Sequence, residues 1–213
     1  MKEHPIIFSG PMVKAILDGR KTMTRRIVKK AWDGLTWAGD VHPARVDGWI
    51  AWWPSGTAEF TKRAYEHGFP CPYGIPGDRL WVWEAWCLPD PTDKRTICYR
   101  ASGDPVTTGA KWKPSIHMPG WASRITLEIV SVRVERLQEI TEEGAIKEGI
   151  TKIDFYRLLD ERQRTDQLDR IFGGKSLPHY VRQFASLWDS LNGKKHPWSS
   201  NPWVWVIEFK KIS

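Results

Sequence analysis

Apolar positions along the chain recur at two periods, and they set out the elements in order. Pro5-Ile6-Ile7-Phe8 is a short apolar run that predicts a buried strand. Met12, Val13, Ile16 and Leu17 then recur at helical spacing. Ser9 suits the N-cap of that helix, Pro11 an early position in it, and Gly19 its end. Thr22 to Val28 is rich in β-branched residues and predicts a strand with Thr22, Thr24 and Arg26 on one face. Strict alternation puts Lys21 on the opposite face from Thr24, so the two meet only if Arg20-Lys21 still belongs to the turn. Further strands are expected over Trp49–Trp53, Arg79–Trp86, Thr96–Arg100, Trp121–Leu137 and Trp203–Phe209. Thr141 is placed to N-cap a short helix over Glu142–Glu148 that Gly149 ends, and longer helices are expected over Asp154–Phe172 and Leu177–Leu191.

Short strands in mixed order, with helices at several joints, do not follow the strand–helix alternation of a doubly wound sheet. The pattern predicts an α+β chain: one small β-barrel or strongly curved sheet with flanking helices. Segments 29–76, 87–123 and 151–201 read as insertions into that single domain. With 213 residues the chain is long enough for a real core.

Composition adds a lean toward polyanionic partners. Net charge is +7, and 14 tryptophans are more than a core of this size needs, which suits stacking on planar ligands as well as packing. Cys71, Cys87 and Cys98 are odd in number and widely spaced, with no secretory signal, so a disulfide framework is not expected and a reducing cytoplasm fits. No apolar run approaches the roughly 20 residues needed to span a bilayer. His67 and Cys71 sit four apart, but without a second close pair no metal site is expected, and no cofactor motif is present.

Gly19-Arg20-Lys21-Thr22-Met23-Thr24-Arg25-Arg26 is the segment that invites chemistry: four cations and two hydroxyls in eight residues. One reading is a solvated basic face or a phosphate-contacting patch. The other is a Lys/Thr pair in which a desolvated lysine of lowered pKa takes the threonine proton. Spacing alone leaves both open. Glu142-Glu143 and Asp160-Glu161 read as solvated helix faces.

The run from Ala15 to Arg26 resembles the signature of the ASCH domain family, which has a PUA-like β-barrel. Gly77-Asp78-Arg79-Leu80-Trp81-Val82 and the stretch Trp203 to Lys210 resemble two further blocks of that family. Cys71-Pro72-Tyr73-Gly74-Ile75-Pro76-Gly77-Asp78 and Asn201-Pro202-Trp203-Val204-Trp205-Val206 are similar to runs in its longer bacteriophage and prophage members. One branch of the family consists of bacterial amidohydrolases that deacetylate N4-acetylcytidine. That resemblance implies a catalytic set of Lys21, Thr24 and Glu148, no metal and no cofactor, and a modified nucleoside or RNA as partner. Arg26, Trp81, Trp83 and Glu84 are candidates for substrate contact. Glu84 is expected to pair with Lys21 or Arg26, and Arg25, Lys29 and Lys30 to face solvent or RNA. A PUA-like module that binds nucleic acid without catalysis is the alternative.

Overall fold

The computed structural model describes residues 1–28, 41–46, 49–54, 69–90, 92, 96–105, 110–151 and 177–213, with the backbone alone described in 41–46, 49–54 and 69–70. The helix expected over Asp154–Phe172 lies outside these residues. The fold is mixed α+β. Its main sheet comprises β1 (Glu3–Ile7), β2 (Met23–Ile27), β6 (Arg79–Trp83), β9 (Thr126–Arg136) and β10 (Trp203–Lys211), in the order β1-β6-β9-β10-β2. β1 and β6 run parallel and the other neighbours antiparallel.

Two small sheets accompany it. One joins β3 (Val41–Val46), β4 (Trp49–Pro54) and β5 (Phe69–Pro70); the other pairs β7 (Trp86–Cys87) with β8 (Cys98–Tyr99). β3 and β4 therefore form a hairpin inside the segment read as an insertion. The expected strand Arg79–Trp86 breaks after Trp83, and its last residues enter a different sheet. β9 starts at Thr126, because Gly120–Ala122 forms a 3₁₀ turn instead.

The sheet does not close into a barrel. β1 and β2 are its two edges, and among the described residues no ladder joins them. The connection between them, from Phe8 to Thr22, is short and half of it is helix α1 (Gly10–Leu17). The two edges are tied by a side chain: Arg26 Nη2 donates to the Ile7 carbonyl at 2.6 Å.

Each face of the sheet has its own core. On the face toward α1, Leu80, Val82, Leu127, Ile129, Val132, Val134, Trp205, Ile207 and Phe209 pack against Phe8, Val13 and Ile16. A register shift between Glu208 and Phe209 keeps Ile129 and Val132 on that one face despite their odd spacing. On the other face Met23, Val204 and Val206 meet helix α3 (His179–Asn192) through Val181, Phe184, Ala185 and Trp188, with Leu137, Ile140, Ala145 and Trp198 around them.

Helix α2 (Glu142–Lys147) is short, and capping fixes its start: Thr141 Oγ1 accepts from Gly144 N at 3.0 Å. It ends beside β2, where Thr22 N donates to Lys147 O and Lys21 and Glu148 form an isolated antiparallel bridge. Gly149 then turns the chain with φ +92°. A Cβ there would stand 3.0 Å from Ala15 Cβ and 3.1 Å from Lys21 Cβ. Gly149→Ala combines an unfavourable φ with that contact and is expected to cost about 1–3 kcal/mol; urea denaturation should show a lower midpoint at unchanged slope.

Candidate functional site

Lys21 emerges from the turn after α1, where Arg20 N and Lys21 N both donate to Ala15 O, so it is not yet bound to strand alternation. That lets its side chain run inward. Lys21 is 2% exposed, Thr24 2%, Arg25 5% and Glu148 7%. Lys21 Nζ donates to Glu148 Oε2 at 2.6 Å, to Glu148 O at 2.9 Å and to Met23 O at 2.8 Å. These three acceptors match the donors of an ammonium. The Phe8 ring lies below, its centroid 5.6 Å from Nζ. Burial lowers the lysine pKa, the charge and hydrogen bond of Glu148 oppose that, and Arg26 and Arg25 lower it further.

Glu148 is the C-cap residue of α2 and reaches Lys21 from 127 residues along the chain. Its second oxygen, Oε1, accepts from Arg25 Nη1 at 3.2 Å. Arg25 also donates to Glu135 Oε1 from Nε at 2.9 Å and from Nη2 at 2.6 Å, and its guanidinium lies over the Phe184 ring. Arg25 is thus buried between two carboxylates, which corrects the expectation that it faces solvent or RNA. Its position on β2 opposite Val206 turns it toward the α3 side of the sheet. Lys29 and Lys30 lie outside the described residues.

Thr24 pairs with Ile207 and Arg26 with Trp205, and both partners belong to the core on the α1 side. Thr24 and Arg26 therefore share that face. The Met23 carbonyl that accepts from Lys21 Nζ is bonded to the Thr24 nitrogen, so the ammonium lies against the peptide that carries the threonine. Arg26 stacks over Phe8 at 5.1 Å and is half-buried, its Nε shielded from solvent with no hydrogen-bond partner among the described residues.

Tyr73 packs against the same core and interacts electrostatically with Arg26; burial raises its pKa, against the pull of the guanidinium. It comes from the Cys71–Asp78 loop, whose turns close through Gly74 N to Cys71 O and Asp78 N to Ile75 O. Sequence reasoning gave neither Tyr73 nor Phe8 a role. Tyr73 did sit in the Cys-Pro-Tyr-Gly run, a usable signal, whereas Phe8 looked like any core residue.

The remaining candidates stand elsewhere. Leu80 and Val82 take the core face of β6, so Trp81 and Trp83 project to the face opposite Thr24 and Arg26. They pack edge to face on each other at 5.2 Å, and Trp83 also packs against Trp86, Met118 and Ala122. Glu84 is buried and accepts from Arg124 Nε at 2.9 Å and Nη2 at 3.0 Å. It pairs with neither Lys21 nor Arg26, because the chain has left the main sheet at that point.

Among the described residues no group of three His, Cys, Asp or Glu side chains is placed to hold a metal ion, and no helix is long and apolar enough to cross a membrane. His67, the partner considered for Cys71, lies outside them. No protein-family model, curated protein or solved structure matches the chain.

Burial pushes the Cys71 thiol from 9.0 up to about 11. The folded state then keeps a proton that the unfolded chain has released, so this contribution is complete below pH 9.0 and is lost as pH rises through about 11. The full loss is about 2–3 kcal/mol. Cys71→Ala is expected to show a shallower fall in stability across that alkaline window than the parent chain, read by urea denaturation at each pH.

Proposed function

We propose that the chain is an ASCH-type, PUA-like protein and an amidohydrolase, removing an acyl group from the exocyclic nitrogen of a modified nucleoside of the N4-acetylcytidine kind. The observation that supports this most is the Lys21–Glu148 pair, shut off from water and lying against the peptide of a buried threonine. A surface salt bridge has little reason to be so placed, whereas a base that must be neutral to work is favoured by desolvation.

In this reading Glu148 Oε2 takes a proton from Lys21 across their 2.6 Å contact, leaving a neutral amine. The amine accepts the Thr24 hydroxyl proton as Thr24 Oγ1 bonds to the acyl carbon. The tetrahedral oxyanion collapses, the carbon–nitrogen bond breaks, and the proton passes from Lys21 to the departing exocyclic nitrogen. That aminopyrimidine leaves readily because its lone pair delocalises into the ring. Water then attacks the acyl-threonine, giving its proton to the Lys21–Glu148 pair, and the pair returns that proton to Thr24 Oγ1 as the acyl–oxygen bond breaks and the acid is released. In the simpler variant Glu148 activates water directly, while the Lys21 ammonium and the Thr24 hydroxyl steady the oxyanion.

A second reading has its own support. All three donors of Lys21 are already satisfied, and the net charge is +7, as suits an RNA-binding module in which the pair is only a brace. Incubation with N4-acetylcytidine, with cytidine resolved by chromatography, separates the two. Thr24→Val, which keeps the volume, is expected to lower kcat/KM by roughly 1,000-fold or more, and Thr24→Ser to retain activity. An acyl-Thr24 adduct should accumulate in Glu148→Gln. No turnover together with salt-sensitive RNA binding would favour the module instead.

A further inference from the structure

Among the described residues, the cations of β2 and the turn before it pair with carboxylates, except Arg26. Lys21, Arg25 and Arg133 alternate with Glu148, Glu135 and Glu208 in one chain of contacts: Lys21 and Arg25 share Glu148, Arg25 and Arg133 share Glu135, and Arg133 ends on Glu208. The chain is neutral in itself. Arg26 stands outside it on the opposite face, and no carboxylate among the described residues lies within ion-pair distance of it. Among the described residues its hydrogen bond is to a neutral carbonyl, that of Ile7. A half-buried guanidinium has lost hydration that such a bond does not replace.

The surroundings narrow what would complete it. Phe8 lies under the guanidinium, whose Nη2 already donates to Ile7 and whose Nε is shielded from solvent, so the edge open to a guest is that of Nη1. Tyr73 adds a hydroxyl that burial keeps protonated, and so a donor. The Nη1 edge plus a hydroxyl suits an anion with several acceptor oxygens. An amide carbonyl offers one oxygen and no charge, so it would leave the imbalance in place.

We infer that Arg26 and Tyr73 form a phosphoryl-binding subsite beside the Lys21–Glu148 pair, so that a nucleotide, free or within RNA, is held more tightly than the bare nucleoside. The inference rests on the reading of this site as a nucleoside site. Its test therefore reads binding and not turnover.

Calorimetric titration of the full chain with cytidine, cytidine monophosphate and a cytidine dinucleotide provides that test. The monophosphate is expected to bind roughly tenfold or more tightly than cytidine, a gain that shrinks with added salt. A gain from the monophosphate alone assigns the subsite to a free nucleotide; a similar gain from the dinucleotide assigns it to an RNA backbone. In Arg26→Ala the ratio of affinities should fall close to one, and Arg26→Lys should restore part of it. Tyr73→Phe should lower the ratio severalfold, and it carries the test if Arg26→Ala fails to fold. Equal affinities in the parent chain, binding by none of the ligands, or a ratio that survives both Arg26→Ala and Tyr73→Phe overturns the inference. A preference for the monophosphate in the parent chain that the variants abolish, without hydrolysis of N4-acetylcytidine, would remove the enzyme and leave the subsite, whereas hydrolysis without that preference would do the reverse.

Discussion

Burying an ammonium is the constraint on which the rest of this structure depends. Lys21 carries its charge to a place water does not reach, and the desolvation is repaid only if every donor finds a partner in good geometry. Two of the three partners come from Glu148, a residue of a different element far along the chain. The turn after α1, the end of α2 and the first turn of β2 must therefore be in register together. Thr141 capping α2 and Gly149 reversing the chain after it serve that register as much as they serve their own helix. Removing either partner alone leaves the other charge stranded, so the pair behaves as one unit energetically.

The sheet sorts its functions by face. Alternation along β2 sends Met23 and Arg25 toward α3, and Thr24 and Arg26 toward α1. On the α3 side the charges are spent on one another, in a chain that runs from the buried Lys21 out to the half-exposed Glu208. On the α1 side a hydroxyl, a guanidinium and two aromatic rings meet without such compensation. The same four residues thus supply structure to one face and chemistry to the other.

Much of this was legible in the sequence, for local reasons. Helical spacing of Met12 to Leu17 placed α1, Thr141 placed the start of α2, and the apolar run from Trp203 placed β10. Lys21 stood out in the cation-rich segment after Gly19, but Glu148 could be singled out only through family resemblance, since nothing in spacing links residues so far apart. Barrel closure failed because strand count and curvature leave no mark in periodicity, and whether two edges pair is settled by tertiary geometry. Arg25 looked solvated because a run of cations carries no sign of the carboxylates that will fold against it. Trp81 and Trp83, candidates for substrate contact, lie on the face opposite Thr24 and Arg26, as period-2 alternation says which residues belong together and not which way they point. Glu84 was assigned to the wrong cation because the break after Trp83 depends on its packing with Met118 and Arg124.

Arg26 fastens the two edges of the sheet, and it does so with a contact that is exchangeable in a way a backbone ladder is not. A ladder gives way only by cooperative fraying, whereas a guanidinium released from the Ile7 carbonyl frees the edge in a single rotamer step. Anything that recruits this side chain competes with that carbonyl. By thermodynamic reciprocity, the spacing of the seam then biases how tightly such a guest is held, to the same extent that the guest biases the spacing. The gap in the sheet is in this sense closed by a chemical latch, and the latch is set in the wall of the site itself.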